Sequence, residues 1–252
     1  MRLELIFQIE NKGELSSEIP SDYRRIFVSF LKRAIENINE EKYYEKYFAP
    51  TVTKSYSFSV ILPKPEFNGD VIRLNGSYIK MIFSSEDRDA TGLIFSQAFL
   101  KQKHKKFPLP KGNSMTLEKI KKLPEQEITN SKVIFRTIAG AGLLIRYHER
   151  EDNKDKYYII GEENAEKQLK IVLREQLLAF GFSKEDAEDI QIKPIRCKKV
   201  VARHYNSFID ATVGMFQMQA NPRVLQYLYK AGIGSRSSIG FGLVELVTQD
   251  LL

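Results

Sequence analysis

Residues 1 to 10, MRLELIFQIE, alternate between apolar and polar, so that Leu3, Leu5, Phe7 and Ile9 share one face. A period of two predicts a half-buried strand, because successive side chains of an extended chain point to opposite sides. A loop follows around Asn11 to Pro20, with Ser21 or Asp22 placed to cap the next element. The period then changes. Ile26, Phe27, Phe30, Leu31, Ala34 and Ile38 recur at helical spacing and predict an amphipathic helix from Tyr23 to Ile38. Residues 39 to 50 are charged and aromatic and read as a short helix, then a loop. Lys54 to Pro63 (KSYSFSVILP) reads as a strand, and Asp70 to Ser84 as a strand pair or a bent strand broken near Asn75-Gly76. Asp89 to Gln102 fits a second helix with Leu93, Ile94, Ala98 and Phe99 inward. A basic, proline-containing loop (103 to 113) leads to a fourth strand within 114 to 128. Strand, helix, strand, strand, helix, strand is the split βαβ, or ferredoxin-like, plan.

The same order recurs. Lys132 to Thr137 predicts a strand, and Leu143 to Arg150 with Lys156 to Ile160 a hairpin across the polar tip EDNKD. Asn164 to Phe180 predicts a helix with Ala165, Leu169, Val172 and Leu177 apolar, closed by Gly181. Ile190 to His204 and Phe208 to Gln219 form another strand pair; Pro222 opens a helix through Tyr229. A glycine-rich loop and a last strand, Leu243 to Thr248, finish the chain. The expected fold is therefore α+β, with tandem ferredoxin-like (RRM-like) domains at 1–130 and 131–252 and no close sequence repeat between them.

With 252 residues, 42% hydrophobic, the chain is long enough for two such cores. One cysteine, Cys197, excludes an internal disulfide and a cysteine-rich metal site, and His104, His148 and His204 form no metal-ligand pattern. No metal or cofactor is expected. The N-terminus carries Glu4 and Glu10 and no long apolar run, so neither a signal peptide nor a membrane span is expected, and a cytoplasmic location is. The net charge of +7 is compatible with a polyanionic partner without requiring one.

The most informative segment runs Gly232-Ile-Gly234-Ser-Arg236-Ser-Ser-Ile-Gly240-Phe-Gly242. Glycines let main-chain amides come close to a ligand, and successive N–H groups can hold phosphate oxygens; Ser235, Arg236, Ser237 and Ser238 add donors. The spacing fits neither a dinucleotide fingerprint nor a Walker loop. A flexible helix-to-strand connector is the competing reading.

This run, AGIGSRSSIGFGLVEL, preceded by the helix PRVLQYLYK, resembles the C-terminal signature of the CRISPR-associated repeat-processing endoribonucleases of the RAMP superfamily. The match falls on Gly232, Gly234, Gly240, Phe241 and Gly242. MRLELIF, Ile19-Pro20, the first helix, KSYSFSV and VIFRTIAGAGLLIR also resemble that family, although Ala139-Gly140 stands where Ser-Pro is common. The resemblance implies binding of CRISPR repeat RNA and metal-independent cleavage of precursor crRNA within the repeat. In that reaction the ribose 2′-hydroxyl attacks, leaving a 2′,3′-cyclic phosphate and a 5′-hydroxyl.

The family's histidine usually follows the first helix, and Ala49 occupies its place. Either the chain is an engineered inactive variant, or it is a natural member that cuts slowly or only binds. By the same resemblance Lys54 would stabilise the phosphorane, Tyr56 would donate to a phosphate oxygen, and Lys32 would stand near a catalytic position of the first helix. Tyr47 is a weaker candidate. RNA contacts are expected from Gly232, Gly234, Ser235, Arg236, Ser237, Ser238 and Gly240, from Arg136, Lys193, Arg196, Lys198, Lys199 and Arg203, and from loop 103 to 111. Many such cations are ordinary solvated surface, and Lys198-Lys199 also suits an edge strand protected against aggregation. The resemblance leaves open further Cas effector subunits as partners and a monomer or a homodimer. Two alternatives stand beside a nuclease: a non-cleaving RNA-binding or scaffold member of the superfamily, and a protein-interaction module without RNA.

Overall fold

The alternating N-terminus forms strand β1 (Arg2–Glu10), the centre of a five-stranded antiparallel sheet. In this computed structural model, residues 1–11, 17–38, 41–50, 53–149, 151–205 and 207–250 are described. The first half continues with β2 (Ser17–Pro20), α1 (Arg24–Glu36), α2 (Glu41–Phe48), β3 (Tyr56–Ile61), β4 (Pro65–Asn68), β5 (Val71–Leu74), β6 (Tyr78–Ser85), α3 (Thr91–Gln102), β7 (Lys106–Pro108) and β8 (Ser114–Lys122). Its main sheet runs β3-β6-β1-β8-β7. Without the β7 edge this is the ferredoxin-like arrangement, with the first strand between the third and fourth.

The second half holds β9 (Lys132–Thr137), β10 (Ile145–Glu149), β11 (Lys154–Tyr158), α4 (Ala165–Ala179), α5 (Lys184–Glu188), β12 (Gln191–His204), β13 (Ser207–Gln219), α6 (Pro222–Ala231) and β14 (Val244–Thr248). Its sheet order, β12-β13-β9-β14, repeats the plan, with β10 and β11 set apart as a hairpin. No helix among the described residues is long and apolar enough to cross a membrane.

Several local expectations change. The break at Asn75-Gly76 separates two strands that do not pair: β6 joins β1, whereas β5 lies between β2 and β4 in a small side sheet. That side sheet uses part of the expected 11–20 loop; residues 12–16 lie outside the described residues. Leu93, expected inward, is 65% exposed, because the buried stripe of α3 runs through Phe95, Ala98, Phe99 and Gln102. The basic loop contributes the short edge strand β7.

The first core is aromatic. Phe7, Phe30, Phe83, Phe95 and Phe99 are fully buried and meet ring to ring at 4.7–6.2 Å. Each such ring contributes about 1.5–3 kcal/mol by burial. The second core gathers Phe135, Leu169, Leu173, Leu177, Phe216, Met218 and the buried face of α6.

The halves are joined tightly. β3 turns Tyr56, Phe58 and Val60 to one side and Ser57 and Ser59 to the other, yet all five are buried. The serine face is covered because α6 and the loop after it pack against β3. Two arginines fasten the joint. Arg2 donates to the carbonyls of Tyr229 and Val244, both at 2.9 Å, and lies over the Tyr229 ring. Arg24 donates to Gly140 O at 2.8 Å and Gly240 O at 3.2 Å, over the Phe241 ring.

Candidate nucleic-acid interface

The glycine-rich loop starts from a well-capped helix. The Asn221 side chain accepts from Arg223 N, Pro222 takes the first turn, and α6 ends at Gly232. Two glycines are required by the path. Gly234 has φ +87° and Gly242 φ +70°, and a Cβ at either would lie 2.4 Å from Leu144 O or 2.2 Å from Ile233 O. These close approaches are used for hydrogen bonds within the protein: Ser235 N to Leu144 O at 2.8 Å, Ile233 N to Gly242 O at 2.9 Å and Gly242 N to Gly142 O at 3.1 Å.

The expectation that Gly232 and Gly240 offer their amides to a phosphate is therefore corrected. Both are buried, and their N–H groups donate to Leu228 O and Ser237 O. What reaches solvent is the middle of the loop, Ser235 to Ile239, with Arg236 in the left-handed conformation.

That exposed middle faces the first half across a surface pocket of about 310 Å³. Pro50, Thr53 and Lys54 form one wall, Gly234 to Ser238 another, and Val172, Glu175 and Gln176 of α4 the third. Lys54 is half-buried; its Nζ donates to Ala49 O at 2.5 Å, and burial lowers its pKa. Ala49 itself ends α2 and adjoins the pocket through Pro50 and that carbonyl. Gln176 is buried and donates to Gly232 O at 3.2 Å, fixing the loop against α4. The structure thus brings Lys54 together with Gly234, Ser235, Arg236, Ser237 and Ser238 across the joint between the halves.

Arg236 is held from behind. Its guanidinium meets Asp155 at 3.0 Å, and the same carboxylate accepts from Arg146 at 2.7 Å, His148 at 2.9 Å and the Tyr157 hydroxyl at 3.2 Å. The Arg146 hydrogen bond, reinforced by His148 and Arg236, pulls the Asp155 pKa down to about 2. The fold therefore favours the ionised form. The stabilisation Asp155 contributes is present above its ordinary value of 3.8 and is lost as pH falls toward about 2. The melting temperature of the parent protein should fall more steeply between those two values than that of Asp155→Asn, followed by circular dichroism; parallel slopes would show that the carboxylate carries no linked stability.

The other expected residues lie elsewhere. Tyr56 is corrected: it is 1% exposed, stacked on Phe83 and packed on Phe95, and burial pushes its hydroxyl pKa far up, so the ring belongs to the core. Tyr47 is also buried, donating to Thr91 Oγ1 at 3.2 Å. Lys32 sits over the Tyr44 and Phe48 rings, each at 5.7 Å, and does not line the pocket. Arg136 pairs with Glu245 at 2.5 Å across β9 and β14. Lys193, Arg196, Lys198 and Lys199 are exposed along the edge strand β12, with Lys199 paired to Asp210 at 3.1 Å. Arg203 reaches across to Asp70 and Ser21 of the first half. His204 is buried, and burial followed by the nearby Arg236, Arg24 and Arg25 brings its pKa down to about 4.

Sequence reasoning passed over Glu175, Gln176 and Asp155. For the helical pair no local signal exists. For Asp155 the expected hairpin hid the signal: it left Asp155 in the polar tip EDNKD, whereas β11 begins at Lys154 and the observed register sets Asp155 directly opposite His148, where a cross-strand pair forms.

The family profile for the C-terminal part of the CRISPR-associated protein Cas6 matches residues 123–246. No curated protein matches the chain. Among solved structures, a Cas6-related protein from Pyrococcus furiosus superposes with a TM-score of 0.82 at 21% identity, over 99% of each chain. A RAMP protein binding different RNA substrates gives 0.79 at 20% identity, covering 98% of this chain and 100% of that one. A CRISPR-associated protein Cas6 gives 0.71 at 20% identity, covering 98% and 99%. At these identities the likeness establishes the tandem ferredoxin-like fold.

Proposed function

We propose, from the match of residues 123–246 to the Cas6 C-terminal family profile, that the chain is a Cas6-family protein that binds CRISPR repeat RNA and processes precursor crRNA. On this reading two modules, dividing near residue 130, grip the RNA where they meet. The observation that carries it is the pocket in which Lys54 of the first half faces the Ser235–Ser238 loop of the second. Among the described residues, the Lys54 ammonium, the Arg236 guanidinium and the hydroxyls of Thr53, Ser235, Ser237 and Ser238 line one small concavity beside a single carboxylate, Glu175; such a set suits a phosphate, and a developing phosphorane more so.

Cleavage would run by attack of the 2′-oxygen on the adjacent phosphorus, with loss of its proton and departure of the 5′-oxygen, which gains one. Lys54 would balance the phosphorane charge, and its lowered pKa makes its proton easier to give to the leaving oxygen. The methyl group of Ala49 can take no proton from the 2′-hydroxyl. That observation favours a second reading, in which the chain holds repeat RNA and cuts it slowly or not at all. One related fold, the RAMP protein binding different RNA substrates, is consistent with either.

Labelled repeat RNA, offered without metal, separates these readings from a chain with no RNA partner. Binding should weaken linearly in log–log form as salt rises, by about 0.7 per phosphate contact. Affinity no greater for the repeat than for unrelated RNA, and indifferent to salt, would remove both.

A further inference from the structure

On the far side of Arg236 lies a larger concave surface of about 670 Å³, walled by the β10–β11 hairpin and the outer end of the β12–β13 ribbon. Arg236 lines both this surface and the pocket at Lys54. Among the described residues three cations face it, Arg146, Lys154 and Arg236, against one carboxylate, Asp155. These described residues therefore carry a formal excess of two positive charges, the histidines left out of the count.

The carboxylate does not turn the site acidic. Its oxygens already accept from Arg146, His148, Arg236 and Tyr157, so it acts as a brace. Guanidinium groups fixed before a ligand arrives spare it their ordering cost.

Beside these cations stand two rings left open to water. Phe208 is 74% exposed and Tyr205 57%, and both line the same surface. One exposed ring needs no explanation. Two at the mouth of a cationic concavity offer what single-stranded RNA uses: flat faces for unstacked bases and positive charge for the phosphates between them. The volume lies in the range of small-ligand sites, roughly 300–1,000 Å³.

We propose that this surface binds an unpaired RNA nucleotide next to the one held at Lys54, its base stacked on Phe208 and its phosphate facing Arg146 and Arg236, an inference that rests on the RNA-binding reading above. Asp155 then serves as a positioning residue for both arginines, and Arg236 is the point where two successive phosphates are shared between the pockets.

Binding of a fluorescent 12-nucleotide oligouridylate, measured across a salt series, tests this. Phe208→Ala leaves the fold intact, which its melting temperature checks, since the side chain is mostly in water. It should weaken binding by about 5- to 100-fold, the effect of losing one stacked base, and leave the salt slope unchanged because no phosphate contact is lost. Arg146→Gln should weaken binding and also lower the slope by about 0.7. Parent-like affinity in Phe208→Ala, or a fall in its slope instead, overturns the stacking site. Failure of the parent protein to bind oligouridylate while it binds repeat RNA also overturns it and leaves the RNA reading standing. Failure to bind either RNA takes down both.

Discussion

Ala49→His should raise single-turnover cleavage of repeat RNA by about 10²–10⁴-fold, the usual contribution of one positioned general acid or base. Position 49 closes α2, its N–H bonded to Glu45 O at 3.1 Å and its carbonyl taking the Lys54 ammonium at 2.5 Å. An imidazole there stands beside Lys54, which lines the pocket from the first half. As a base it must be neutral, so the gained rate should rise with pH through about 6.5 and then level. A 2′-deoxy substitution at the cleaved nucleotide should abolish it, because the nucleophile is gone. Single-turnover rates for both proteins on the same RNA decide the matter. Equal binding with no gain in rate would mean that position 49 is not where the base belongs and would favour the scaffold reading.

How much of this could be read in the chain depends on the range of the interaction. The two split-βαβ orders were legible because each strand and helix announces its period locally: Leu3, Leu5, Phe7 and Ile9 for β1, and Phe27, Phe30, Leu31 and Ala34 for α1. The serines of KSYSFSV were read as part of a strand, but that their face is buried depends on α6 and its loop, about 170 residues away, and nothing local encodes that. A strand running from Lys54 to Pro63 places Lys54 and Tyr56 on one face. β3 begins only at Tyr56, so the alternation does not extend back to Lys54, which turns to the pocket while Tyr56 enters the core. The glycine motif marks a loop that lines the pocket, but the amides of Gly232 and Gly240 bond within the protein. A glycine declares that backbone must come close to something; whether that is a ligand or Leu144 O is settled by tertiary structure.

Arg24→Met should cost about 2–4 kcal/mol of stability, a large share of the roughly 5–15 kcal/mol of an ordinary domain. On helical spacing alone Arg24 is a polar residue beside the buried stripe of α1, yet it is 7% exposed. Its guanidinium satisfies Gly140 O at 2.8 Å and Gly240 O at 3.2 Å and lies 4.2 Å from the Phe241 ring centroid. Methionine keeps the length of the stem and an apolar contact with the ring, so the loss isolates the two donated hydrogen bonds and leaves their acceptors unmatched. Each such acceptor costs about 1–3 kcal/mol. Arg24→Lys, which can restore one of the two bonds, should fall between. Urea unfolding gives the comparison: a lowered midpoint at unchanged slope registers the stability change. The functional consequence follows from the same contacts. Gly240 closes the turn that presents Ser235 to Ile239, so loosening it should reduce RNA binding at temperatures well below the melting of Arg24→Met. A stability change under about 1 kcal/mol, or RNA affinity equal to that of the parent protein, would show that the glycine-rich loop holds its shape without help from the first half.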